Sequence, residues 1–127
     1  MAIIPMNAGK NSGKNSGLTL GADLFNGGRY WDAHEAWEHV WMLDRKGPDA
    51  GFYKGLIQVA AGCLHYTRHN RRGAVNKWRG GAEYLRPYLP EHQGVRLSAL
   101  VESVDEFLDA MNQHEWPVLT MPKIACD

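Results

Sequence analysis

The sequence predicts an all-α protein, a compact bundle of about five helices built from antiparallel helical hairpins. Apolar residues repeat at helical spacing in several separate stretches, and glycine- or proline-containing turns divide these stretches from one another. No stretch alternates apolar and polar residues cleanly enough to indicate a strand. The chain of 127 residues is long enough to form one domain with its own hydrophobic core.

Five helices are expected, and each ends at one of these turns. In chain order they cover about residues 18–26, 30–43, 52–68, 74–86 and 95–112. The fifth helix has the most regular pattern, since seven apolar residues repeat along one face. We expect three of them, Leu100, Val104 and Phe107, to be fully buried.

The two ends of the chain differ in composition from this helical domain of residues 18–112. Residues 7–17 contain only Gly, Asn, Ser, Lys and one Ala, so we expect residues 1–17 to form a flexible leader. Residues 113–127 hold Trp116-Pro117 and Met121-Pro122. We expect this tail to pack as an extended strap.

Charge and cysteine content narrow the class of protein. Fourteen basic and fourteen acidic residues give a formal net charge of zero, which argues against a nucleic-acid binder or a protein of anionic membranes. The two cysteines are too few for a secreted disulfide scaffold. Neither a signal peptide nor an apolar run of about 18 residues is apparent. A cytoplasmic protein is therefore expected.

The stretch Trp31–Trp41 concentrates two histidines, two glutamates and three tryptophans in about three helical turns. Within it, His34, Glu38 and Trp41 fall within roughly 60° of one another on the helix surface. Ionisable groups beside an apolar helix face are costly to bury without partners. This group is therefore either a satisfied polar network or a functional site.

The third helix carries a second polar stripe. Gln58, His65 and His69 lie within about 40° of one another, and Gly62 leaves room for a close helix contact. If the second and third helices pack antiparallel, His34 and Glu38 face Gln58 and His65. We therefore predict that these four side chains converge in a pocket that Trp41 borders.

Two functions fit such a cluster. In the first, His34, Glu38 and His65 bind zinc or another divalent transition metal, and with Gln58 they form a hydrolytic site for a small molecule. In the second, the same groups form a structural hydrogen-bond network in a non-catalytic helical module that binds a protein partner. An open cavity beside the cluster would favour the enzyme.

Three further observations argue against other catalytic sites. Asp32 and Glu35 have the spacing of a capping box at the start of the second helix. The zinc-protease signature H-E-x-x-H is absent, because Glu38 stands where its second histidine would be. Cys63 lies on an apolar face and is expected to be a small buried hydrophobic residue rather than a nucleophile.

Several stretches together resemble a known family. A phenylalanine and glycine precede an H-E-x-x-E-x-x-W motif, and a G-x-I-Q-x-A-A motif follows in a small-residue helix. The matching residues are 25–35, Glu38, Trp41, 55–61, His65 and 70–74. This combination, spread over about residues 18–110, resembles the domain-of-unknown-function family number 309. The resemblance implies a small all-α domain and no assigned activity.

Overall fold

The computed structural model of the chain describes residues 14–113 and 115–126. These residues form five α-helices: α1 (Lys14–Asn26), α2 (Tyr30–Leu43), α3 (Ala50–Thr67), α4 (Arg71–Leu85) and α5 (Ser98–Met111). A 3-10 turn (Arg86–Tyr88) and a two-stranded ribbon, β1 (Glu91–His92) with β2 (Val95–Arg96), connect α4 to α5. The predicted all-α bundle is confirmed.

Helices that follow one another in the chain pack against each other, and glycines bring them close. In the α1–α2 hairpin, Gly21 lies against Trp37, whose indole N–H donates to the Leu18 carbonyl at 3.2 Å. In the α3–α4 hairpin, a Cβ at Gly62 would come within 3 Å of the Trp78 ring. Each hairpin is therefore aligned by a tryptophan ring against a glycine of the neighbouring helix.

The core lies between these hairpins and α5. Trp37 and Trp78 are fully buried, and the Trp78 ring contacts that of Phe107 with 5.0 Å between their centroids. Leu100, Val104 and Phe107 are buried, as the spacing of the fifth helix predicts. The apolar face of α5 thus closes the core beside α4.

The first and last helices begin at residues other than those expected. The first helix begins at Lys14, so residues 14–17 are helical rather than part of a leader, and the rest of the predicted leader lies outside the described residues. The last helix begins at Ser98, because residues 91–96 form the ribbon instead. The two strands of the ribbon are joined by a tight turn at Gln93 and Gly94, whose backbones are left-handed with φ of 49° and 79°. Strands of two residues are too short to show an alternating pattern.

The tail, residues 115–126, contains no helix and is held by side chains of the bundle. Tyr66 donates its hydroxyl proton to the Pro117 carbonyl at 2.7 Å and accepts the Leu119 N–H at 2.9 Å. The Asn26 amide makes a matching pair of bonds to the backbone of Ile124, at 2.9 and 2.7 Å. Because Ile124 is also buried, the tail contributes to the core.

Three buried weak acids hold their protons more tightly than usual. Burial raises the pKa of Tyr30 and of Tyr53 to about 12. Burial also raises the pKa of the Cys63 thiol to about 12, although the neighbouring Trp78 N–H opposes this shift. The predicted assignment of Cys63 as a buried hydrophobic residue is consistent with this environment.

We predict that Phe107→Ala lowers the free energy of unfolding by roughly 3–5 kcal/mol, since it removes a ring packed on Trp78 inside the core. Val118→Ala is the control, because Val118 is 97% exposed and its truncation should change stability by less than about 0.5 kcal/mol. Urea denaturation measures both. Equal midpoints for Phe107→Ala and wild type would contradict this assignment of the core.

We also predict that stability falls as the pH rises from about 9 to about 12. The unfolded chain loses its thiol and phenol protons near their ordinary pKa values of 9.0 and 10.0, whereas the folded chain retains them until about 12. The stabilisation is thus complete below pH 9 and is lost across this interval. Cys63→Ala should show a smaller loss of melting temperature between about pH 8 and about pH 10.5. If the melting temperatures of wild type and Cys63→Ala fell equally over this pH interval, the assignment of the effect to Cys63 would be contradicted.

Candidate functional site

His34 lies beside the buried face of α2. Tyr30, Ala33, Trp37 and Val40 are the buried residues of this helix. His34 is half-buried, and its ring stacks on that of Trp31 with 5.1 Å between centroids and 10° between planes. Its Nδ1 atom is buried and has no hydrogen-bond partner within the described residues.

The polar side chains of Gln58 and His65 on α3 pack against α4. The Gln58 amide oxygen lies within 3 Å of the point that a Cβ on Gly80 would occupy, and the His65 ring lies as close to Gly73. His65 Nδ1 is also 3.1 Å from Asn70 Nδ2. Two α4 glycines, seven residues apart, therefore leave the space in which these α3 side chains lie.

The predicted convergence of His34, Glu38, Gln58 and His65 is not found. No hydrogen bond joins any two of them among the described residues, and Glu38 is exposed. Nor does this part of the chain contain a group of three His, Cys, Asp or Glu side chains that could hold a metal ion. The physical reason is that Gln58 and His65 occupy space beside the α4 glycines, whereas the His34 ring stacks on Trp31.

Two neighbouring assignments also change. The N-cap of α2 is Arg29, so Asp32 lies inside the helix and pairs with Arg29 at 2.6 Å instead of forming a capping box with Glu35. His69 has a left-handed backbone, with φ of 56°, and its ring stacks on Trp116 at 4.6 Å. Its role in the structure is to contact the tail.

Trp41 lines a cleft, but none of the four predicted polar residues does. The cleft has a volume of about 200 Å³ and lies where α2, the start of α3 and the end of α4 meet. Lys54 Nζ is 4.5 Å from the centroid of the Trp41 ring, and Arg45 Cζ is 6.0 Å from it. The remaining lining residues are Ala50, Gly51 and Tyr84. Sequence reasoning identified Trp41 and missed both cations, since they belong to no motif.

A larger groove of about 620 Å³ lies between α1 and α2. Most of its lining is apolar, and Leu20 and Leu43 are 53% and 63% exposed. Its lining residues are Ser16, Gly17, Leu20, Leu24, Asp32, Glu35, Ala36, His39, Val40 and Leu43. We name it the α1–α2 groove. The sequence indicates this groove only through leucines that lie outside the buried stripes of both helices, namely Leu20 and Leu43.

Part of the chain matches a known protein family. No helix in the described part of the chain is long and apolar enough to span a membrane. No curated protein matches the sequence. Residues 18–76, which extend from α1 into α4, match the family model described as a domain of unknown function, DUF309. Over these residues the chain is similar to the DUF309 family, which supports the resemblance that its sequence motifs indicate.

Proposed function

We propose that this protein is a non-catalytic interaction module whose α1–α2 groove binds an amphipathic helix of a partner protein. The partner helix presents apolar side chains to the groove and basic side chains along one edge. The observation that carries this proposal is the apolar lining of the groove, with two leucines more than half exposed. We place this interaction in the cytoplasm, as the composition of the chain favours.

The apolar residues of the groove form one continuous surface. Leu20 and Leu24 lie on α1, one turn apart, and Val40 and Leu43 lie on α2 across from them. Contiguous exposed apolar surface is unusual on a soluble domain and is typical of a binding site. Covering Leu20 and Leu43 would remove the most exposed part of this surface from water.

The length of the groove suits a helix. Its α2 wall runs from Asp32 to Leu43, which is about 16 Å at 1.5 Å per residue, or three turns. A helix bound there would place side chains at positions i, i+3 or i+4, and i+7 into the groove. Gly17 contacts Val40 and keeps this end of the groove free of larger side chains.

Charge at the rim selects the partner. Asp32 is paired with Arg29, whereas Glu35 is exposed and has no ion pair with any described residue. A lysine or arginine on the edge of the partner helix would meet the Glu35 carboxylate. Electrostatic complementarity of this kind contributes to specificity and to the rate of association.

The hydrolytic alternative has less support. It requires His34, Glu38, Gln58 and His65 to share a pocket, but no hydrogen bond connects them within the described chain. A large, mostly apolar groove lies elsewhere, along Leu20 and Leu43. An interaction module needs only that groove.

The test uses the full-length chain and a helical peptide of about 18 residues with leucines on one face and lysines at its edge. We expect saturable binding by calorimetry and chemical-shift changes along α1 and α2. Leu43→Asp should weaken binding at least about tenfold, and Glu35→Gln should weaken it less and reduce its dependence on salt. Val118→Asp adds the same charge at another exposed site and should have no effect.

Other outcomes would overturn the proposal. One is binding that Leu43→Asp leaves unchanged while the variant remains folded. Another is equal affinity for the lysine peptide and for a peptide in which glutamates replace the lysines. Glu35 would then have no role in selecting the partner. A third is a dimer in sedimentation experiments that Leu43→Asp dissociates, since the occupant of the groove would then be a second copy of the chain.

A further inference from the structure

We propose a second binding site, independent of the groove: the cleft at Trp41 binds the phosphate group of a small phosphate monoester or inorganic phosphate. Arg45 and Lys54 contact the phosphate oxygens, and the backbone N–H groups of Gly51 and Phe52 in the first turn of α3 add hydrogen-bond donors. Trp41 and Tyr84 form the walls. This site was not anticipated from the motifs of the sequence.

The arrangement of the two cations is the first argument. Lys54 and Arg45 both lie beside the ring of Trp41, at 4.5 and 6.0 Å. Neither makes an ion pair with a described residue, unlike Arg29 and Arg86, which pair with aspartates at 2.6 and 2.8 Å. An anion in this cleft would be attracted by both positive charges.

The nearby carboxylates are turned to other groups. Asp49 accepts hydrogen bonds from His92 Nε2 at 2.7 Å and from Gln93 Nε2 at 2.8 Å. The Asp44 carboxylate lies against Gly47. Neither side chain lines the cleft, so the charged residues of its lining are the two cations.

The hydrogen bonds of Asp49 also affect the N-terminal end of α3. Asp49 occupies the N-cap, where an aspartate usually accepts a hydrogen bond from a backbone N–H of the first turn. Here it makes no such bond, because its carboxylate is engaged by His92 and Gln93. The Ala50 N–H already donates to the Gly47 carbonyl at 3.1 Å, whereas the N–H groups of Gly51 and Phe52 have no intrahelical acceptor. Together with the helix dipole, these two N–H groups favour an anion. Gly51 in this first turn lines the cleft.

The donor set indicates the class of anion. A guanidinium, an ammonium and backbone N–H groups together offer more donors than one carboxylate accepts, whereas a phosphate has three oxygens in addition to its ester oxygen. A volume of about 200 Å³ holds a phosphate with a small organic group attached. That group would lie against the rings of Trp41 and Tyr84, so an aromatic ester should bind more tightly than inorganic phosphate.

The experiment titrates the ¹⁵N-labelled full-length protein with inorganic phosphate, phenyl phosphate and acetate at constant ionic strength. We expect saturable shifts of the Gly51 and Phe52 amides and of the Trp41 indole N–H. Affinity should decrease from phenyl phosphate to inorganic phosphate to acetate. The double variant Arg45→Gln/Lys54→Gln should bind both phosphates at least about tenfold more weakly.

The control double variant, Lys77→Gln/Arg79→Gln, removes the same charge from exposed positions of α4 that do not line the cleft. It should bind phosphate like wild type, and Lys54→Arg should retain binding. Equal losses in the two double variants would show general charge attraction only and would overturn the proposal. So would shifts that do not saturate, or that occur away from the cleft. If the first double variant melts early, the single variants Arg45→Gln and Lys54→Gln replace it.

Discussion

Trp37 and Trp78 fill the space between neighbouring helices, and each can do so only because a glycine stands opposite. Gly21 gives room to Trp37, and Gly62 gives room to Trp78. A side chain at either glycine would overlap the indole, so these contacts determine how the α1–α2 and α3–α4 hairpins are aligned. Full burial of two such large rings also provides much of the apolar area that stabilises a small domain.

The same use of glycine explains where the polar residues of α3 lie. Gly73 and Gly80 leave gaps on α4, and the His65 and Gln58 side chains occupy them. Each polar group thereby rests against a neighbouring helix while part of it stays accessible to water. For Gln58 and His65, the cost of burying unpaired polar atoms is thus avoided without a shared network.

Helix α2 connects the two proposed binding surfaces. Ala36, His39 and Leu43 line the α1–α2 groove, whereas Trp41 lines the cleft with Lys54. The surfaces also differ in chemistry, since one is apolar with an acidic rim and the other is cationic and aromatic. The two proposals, for a partner helix and for a small anion, therefore involve different residues of the same helix.

Local pattern alone determined the helices, because the spacing of apolar residues is a property of each segment by itself. The α2 boundaries and the buried face of α5, with Leu100 and Val104, could be predicted in this way. Of the predicted site residues, Trp41 lines the cleft, whereas His34, Glu38, Gln58 and His65 line neither the cleft nor the α1–α2 groove. The neighbours of His34 and His65 depended on side-chain packing, which helical periodicity does not specify. Arg45 and Lys54 are separated in sequence and meet at Trp41 only when α2 and α3 pack, so the tertiary structure alone decided the cationic cleft.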